Sequence, residues 1–203
     1  MSAPAFRLGP VTLTGHFVRL EPLSPSHVEG LWAAAQDARI WSWLATPIAS
    51  AADAHAFVET ALAAERAGTE HAFAVIDAAE GRVVGSTRFM DVTPVARGVE
   101  IGWTWYAPDV WGTKVNPEAK LLLMKHAFET HAAIRVCLKT DELNQRSRAA
   151  IAKLGAQFEG ITRNHRIRRD GSYRGSAVYS VIESEWPAVK SGLVARLAAP
   201  LVA

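Results

Sequence analysis

The chain of 203 residues has one cysteine, Cys137, so it cannot close an internal disulfide. That scarcity suits a reducing compartment, and with no basic-then-apolar leader pattern at its start the reading is a cytoplasmic protein. It also lacks a long hydrophobic run. The richest, Leu121 to Met124, is flanked by Lys120 and Lys125, far short of the roughly twenty apolar residues that cross a bilayer. A soluble chain with no membrane partner is expected. Charge of one sign is missing too: 22 Lys and Arg against 20 Asp and Glu leave a net +2, so the overall balance calls for neither nucleic acid nor a lipid surface. No His/Cys cluster falls at ligand spacing and no Gly-x-Ser-x-Gly elbow occurs, which leaves a zinc enzyme and a serine hydrolase without support; no metal is expected. Repeats and low-complexity tracts are absent.

What is present reads as one domain over 1–203, with a core from about 13 to 186. A strand over Leu13 to Leu20 is followed by Ser24-Pro25, a cap and first-turn proline opening a helix through Leu31 and Ala35. Ser50 caps a second helix, with Ala54, Phe57, Val58, Ala61 and Leu62 at helical spacing, ended by Gly68. Three strands follow, Ala72 to Ile76, Arg82 to Met90 and Gly98 to Tyr106. Asn116-Pro117 repeats the cap-plus-proline signal before a long helix running to about Thr130. Ile134 to Lys139 is a strand in which Cys137 reads as a small buried thiol. Asn144 then caps a short helix closed by Gly155, two strands flank the Asp170-Gly171 turn, and a last helix spans about 184–197. The order predicts an α/β (α+β) fold: a mixed, mostly antiparallel central sheet with helices on both faces.

The stretch most informative about chemistry runs from Glu100 to Lys120, where a strand feeds the loop Ala107 to Val115 and then a helix. A helix start offers unsatisfied N–H groups and the positive end of the macrodipole, so it binds anions such as phosphate. Gly112 lets the backbone approach such a ligand closely. A second charged feature is the run Arg163, His165, Arg166, Arg168, Arg169 and Arg174, opposed only by Asp170. It reads as a solvated hairpin, or as a surface for phosphates.

These residues resemble the GNAT superfamily of N-acetyltransferases, in which a Gln/Arg-x-x-Gly-x-Gly/Ala loop cradles the pyrophosphate of coenzyme A. Gly112 falls on the first glycine, while Asp109 stands at the Gln/Arg position and Lys114 at the second glycine. Ile101-Gly102-Trp103 is similar to the family's Ile-Gly-Tyr strand, and Asn116-Pro117-Glu118-Ala119 to its helix start. Asn144-Gln145-Arg146-Ser147, with Lys153, Leu154 and Gly155, resembles the family's Asn-x-x-Ser followed by Lys-x-Gly-Phe. Within the superfamily the chain looks most like the Rim-type ribosomal-protein N-terminal acetyltransferases, on the two helices after the first strand and on the closing hairpin with Val178-Tyr179-Ser180; Gly175 replaces an aspartate often found there.

The resemblance implies acetyl-CoA as cosubstrate, held by Trp105, Tyr106, Trp111, Gly112, Thr113, Lys114, Val115, Asn116, Asn144 and Ser147. It implies an amine acceptor, either a small amine or a protein N-terminus, attacking directly in a ternary complex, and a homodimer is the guess from the Rim-type branch. Acetyl transfer needs an unprotonated amine, donors for the carbonyl oxygen and stabilisation of the departing thiolate. Glu100 is the expected base, a backbone N–H near Trp105 or Tyr106 the expected oxyanion donor, and Ser147 or Tyr179 the hydroxyl that meets the thiolate. His71, His126 and His165 would suit a general base by the unperturbed pKa of histidine but lie on no motif. Trp41, Trp43, Trp103, Trp105 and Trp111 serve either as acceptor-pocket walls or as core. A different reading is a non-catalytic module that holds acyl-CoA, or binds RNA or an acidic partner through the 163–174 hairpin.

Overall fold

The computed structural model describes Phe6 and residues 8–200. Eight strands form one sheet: β1 (Leu13–Thr14), β2 (Val18–Pro22), β3 (His71–Asp77), β4 (Val83–Thr93), β5 (Gly98–Tyr106), β6 (Arg135–Asp141), β7 (Gln157–Ile167) and β8 (Tyr173–Ile182). Their spatial order is β1-β2-β3-β4-β5-β6-β8-β7, and every described pairing is antiparallel except β5 with β6. This is the mixed, mostly antiparallel sheet that the order of elements predicted.

The helices are α1 (Val28–Ala34), α2 (Ala51–Arg66), α3 (Val115–Lys125), α4 (Gln145–Ala152) and α5 (Trp186–Ala198). Because side chains alternate across a strand, the sheet buries two apolar layers. On one face Val99, Ile101, Tyr106, Leu138 and Tyr179 pack with Ala119 and Leu123 of α3 and Leu193 of α5. On the other, Ala72, Ala74, Ile76 and Trp105 pack with Leu31 of α1 and Val58 of α2. Among the described residues no helix is long and apolar enough to cross a membrane.

Two boundaries differ from the sequence reading. The single strand expected over Leu13 to Leu20 is broken, because the buried Glu118 carboxylate accepts from the backbone N–H groups of His16, Phe17 and Val18 at 2.9, 2.6 and 2.8 Å and draws the chain into a turn. The helix expected from an Asn116 cap begins at Val115 with Lys114 at the cap position, so Asn116 and Pro117 lie inside the first turn. Pro117 is tolerated there because the first N–H groups of a helix have no partner within it. The helix then runs into a π-helical turn, His126–Thr130, ending where expected.

Two features of β5 shape the site. It pairs with β6 only over Gly98, Val99 and Glu100; beyond Glu100 the strands diverge. In the same stretch the register against β4 slips, so that Trp103 and Thr104 together oppose Thr87, and Trp103 adopts φ +49°. A bulge of this kind leaves one residue without a ladder partner and bends the strand.

Candidate active site

The divergence of β5 from β6 opens a cavity of about 360 Å³ that passes through the sheet. Its floor is the unpaired edge of Ile101 to Tyr106, its opposite side Leu138 to Asp141, and its two ends, on the two faces, are lined by different chemistry.

On the α3 face the wall is made largely of backbone. The loop before α3 reaches the cavity at Trp111 and Gly112. Gly112 has φ +77° with open space where a Cβ would stand, a conformation glycine adopts at little cost. Among the described residues the N–H groups of Gly112, Lys114 and Asn116 have no protein acceptor, which is the donor-rich helix entry that suits a phosphate. Trp111 is fixed by its indole N–H donating to the Tyr106 carbonyl at 2.8 Å, and the Arg146 guanidinium lies 4.0 Å from its ring. At the start of α4, Asn144 caps the helix by accepting from the Ser147 N–H at 3.0 Å and also lines the cavity, with Ser147 beside it.

The same face holds a residue that the sequence reading used only as the flank of an apolar run. Lys120 is 4% exposed and lines the cavity. Its ammonium donates to the Thr104 hydroxyl at 2.7 Å, and Thr104 and Thr87 are 2.8 Å apart. With no carboxylate beside it, burial pulls its pKa down to about 7. The signal was present: Lys120 falls on the stripe of Asn116, Leu123, Met124 and Ala127, the face of the helix turned to the sheet.

The opposite face is ionic. Glu100, 6% exposed, is paired with Lys139 at 2.6 Å. Burial pushes its carboxyl above the usual range, with Lys139 working against that shift. Asp141, 2% exposed, receives two bonds from Arg168 at 2.7 and 2.9 Å; burial opposes its charge, yet Arg168 keeps the carboxyl below its ordinary value. His165, Arg166 and Arg174 also line the cavity, and the His165 ring is 2.8 Å from the Ser176 hydroxyl. The basic hairpin is therefore not merely solvated: its strands lend side chains to the interior. Spacing within the run gave no sign of this, because the turn of the sheet decides it.

The other expected residues are distributed as follows. Glu100, Trp105, Tyr106, Trp111, Gly112, Asn116, Asn144 and Ser147 line the cavity. Thr113 and Val115 stand behind it, the Thr113 hydroxyl donating to the Val110 carbonyl at 2.7 Å, and the Lys114 ammonium lies 4.9 Å from the Phe17 ring. Asp109 is paired with Arg82 on the outside. Tyr179 is not brought to the cavity: it faces the α3 side of the sheet, where its hydroxyl accepts from Arg148 at 3.2 Å and its ring packs on Phe158. A Cβ at Gly175 would stand 2.5 Å from the Glu142 carboxyl, the end of a side chain that can move aside. Of the tryptophans, Trp43, Trp103, Trp105 and Trp111 line the cavity, while Trp41 packs on Trp105 in the core. Among the described residues no group of His, Cys, Asp and Glu is arranged to hold a metal ion.

The family model of the acetyltransferase (GNAT) domain matches residues 18–157, the span from β2 to the start of β7. Of the curated proteins none matches significantly. A GCN5-related N-acetyltransferase from Brucella melitensis superposes with a TM-score of 0.89 at 32% identity, over 96% of this chain and 89% of that one. Mycobacterium smegmatis RimJ, solved with CoA-disulfide, superposes at 0.77 and 21% identity over 93% of each chain. A GNAT-family acetyltransferase from Bacillus anthracis does so at 0.73 and 18%, over 86% of this chain and 100% of that one; at these two identities the likeness speaks for the fold. Sheet order, split, loop and family match agree, and the chain belongs to the GNAT acetyltransferases.

Proposed function

We propose that the protein acts as one domain that transfers an acetyl group from acetyl-CoA to a primary amine, either a small amine or a protein N-terminus, by direct attack in a ternary complex. The observation that carries this reading is the split after Glu100, which leaves the Ile101–Tyr106 edge unpaired and ends at the open Gly112 loop. An exposed strand edge takes up an extended, amide-bearing chain by main-chain hydrogen bonds, and the free N–H groups of Gly112, Lys114 and Asn116 suit a pyrophosphate at its end. Acetyl-CoA supplies the activated thioester; the residues of this chain do the rest.

In the reaction the amine nitrogen bonds to the acetyl carbon, the carbon–sulfur bond breaks, and the proton leaving nitrogen must find a base. Glu100 fills that role, directly or through a water, because burial raises its proton affinity toward that of a useful base. Lys139 keeps the carboxylate in place. Charge developing on the carbonyl oxygen is met by backbone N–H on the bulged stretch of β5 near Trp105 and Tyr106. The Ser147 hydroxyl donates a hydrogen bond to the departing thiolate, which takes up a proton to leave as the free thiol.

Calorimetric titration with acetyl-CoA and desulfo-coenzyme A, followed by thiol release in the presence of peptides and small amines, tests the proposal. Binding and thiol release that depends on an added amine support it. Binding without turnover by any amine, with Glu100 and Ser147 dispensable, favours a non-catalytic acyl-CoA-binding module. Absence of binding sinks the reading.

A further inference from the structure

The ionic face of the cavity has more positive charge than its own carboxylates neutralise. Glu100 is taken by Lys139 and Asp141 by Arg168, which leaves Arg166 and Arg174. These two stand directly opposite one another on β7 and β8, an arrangement of like charges that costs stability unless something negative sits between them. Arg166 has no ion pair among the described residues. The Arg174 side chain is 19% exposed, and its Nε is 3.8 Å from Asp141, beyond hydrogen-bond reach, and buried with no partner among the described residues. Burial weakens its hold on the proton against the opposing pull of Asp141, and Arg166 and Arg168 push the same way as burial. An unpartnered donor on a buried guanidinium is expensive; the sealed Nε is out of a ligand's reach, and the remaining N–H groups of Arg174, which lines the cavity, are the ones a ligand acceptor can meet.

Position says which ligand this is. Arg174 and Ser176 alternate along β8 with Ala177 and Tyr179, whose side chains face α3. The two arginines are thus on the opposite face of the sheet from the Gly112 loop, away from the free N–H groups of the helix entry. They share their face with Glu100, whose charge acts on Arg174. A guanidinium offers a planar fork that fits a carboxylate through two parallel bonds.

We propose that the acceptor is an amine carrying a carboxylate close to its nitrogen, and that Arg174, seconded by Arg166, holds that carboxylate while Glu100 takes the proton. The inference rests on the acetyltransferase reading of the same cavity and names its substrate class. The carboxylate belongs either to an acidic residue beside a peptide N-terminus or to a free amino acid. The two sources separate experimentally.

The test measures thiol release from acetyl-CoA with two matched pairs: an amidated Ser-Glu peptide against its Ser-Gln counterpart, and free serine against serine amide. In the wild type, the acid of at least one pair is expected to show a kcat/KM roughly ten- to a hundredfold above its neutral partner, the range of a charged hydrogen bond. Arg174→Gln should bring that ratio toward one without changing the calorimetric affinity for acetyl-CoA, Arg174→Lys should restore part of it, and Arg166→Gln, at an exposed position that the fold tolerates, should lower it less. Equal rates within both pairs overturn the inference, as does a preference that survives both glutamine variants. It is also overturned by acetyl-CoA binding with no turnover of any of the four, or by salt-sensitive competition from RNA. Failure to bind acetyl-CoA, by contrast, overturns the acetyltransferase reading itself.

Discussion

The two walls of the cavity are built from different materials. The wall toward α3 and α4 is backbone N–H, glycine and mostly neutral side chains, with Arg146 over the Trp111 ring and the buried cation Lys120 set among hydroxyls. The wall toward the hairpin is ionised side chains, Glu100, Lys139, Asp141 and the arginines. A backbone wall keeps its function through side-chain change: Asp109 and Lys114 depart from the family's loop pattern, yet Asp109 turns outward to Arg82 and Lys114 toward Phe17, and neither disturbs the free N–H groups. An ionic wall has no such tolerance, because Glu100 and Asp141 are each held by a named cation and removing either partner leaves the other uncompensated. The first suits a part of the substrate shared across a family, the second a part that distinguishes one member.

The comparison is sharpest where one atom changes an ionic residue. Glu100→Gln keeps the shape and removes the base, and kcat should fall by roughly a hundred- to ten-thousandfold, with acetyl-CoA affinity in calorimetry unchanged. The wild-type rate should drop as pH falls through the raised pKa of Glu100, since only the ionised form accepts a proton. An acidic limb that persists in the variant would assign the base elsewhere.

Attacking the backbone wall requires putting a side chain where there is none. Gly112→Asp places a carboxylate in the open space beside the free N–H groups, and acetyl-CoA affinity should fall by about a hundredfold, through repulsion of the phosphates and loss of their charged hydrogen bonds. Gly112→Ala separates the causes: it strains the φ +77° backbone without adding charge, and should lose less than the aspartate. Equal losses would place the phosphates away from this loop.

Lys120 tests whether the neutral wall tolerates its cation for the sake of function. Its folded pKa of about 7 lies below the unfolded 10.5, so the unfolded chain binds the extra proton between those values and stability rises with pH across that window. Below pH 7 the cost is complete, roughly 5 kcal/mol at most for a shift of this size. Lys120→Met should therefore raise the melting temperature more at pH 6 than at pH 10, and turnover of the same variant decides whether the cation serves the reaction. A variant that melts with the wild-type pH dependence would contradict the burial of this amine.

The smallest effect belongs to Asn144. Removing its cap by Asn144→Ala should cost about 1 kcal/mol of stability, read by denaturant unfolding. If the side chain also faces acetyl-CoA, affinity falls too; an unchanged affinity would leave Asn144 as a cap alone. Ser147→Ala in the same helix should leave stability unchanged and lower kcat several-fold, the share of one neutral hydrogen bond.

Much of this was legible in the chain. Local signals depend on neighbours a few residues away, so Ser50, Asn144, Gly171 and the apolar periods placed the helices, turns and strands, and the Gly112 loop with the Asn144–Ser147 pair marked the family and the wall proposed for acetyl-CoA. Tertiary structure decided what depends on residues distant in sequence. Glu118 breaks the first strand from a hundred residues away. Lys120 is buried because its helix turns that side to Thr104, and Tyr179 is taken out of the cavity by the face on which β8 lies. Arg166 and Arg174 read as surface charge until pairing of β7 with β8 set them opposite each other beside Asp141. The backbone-built half of the site follows from local propensity and is written in sequence; the ionic half is a balance of charges brought together by the sheet, and a sequence does not record distances.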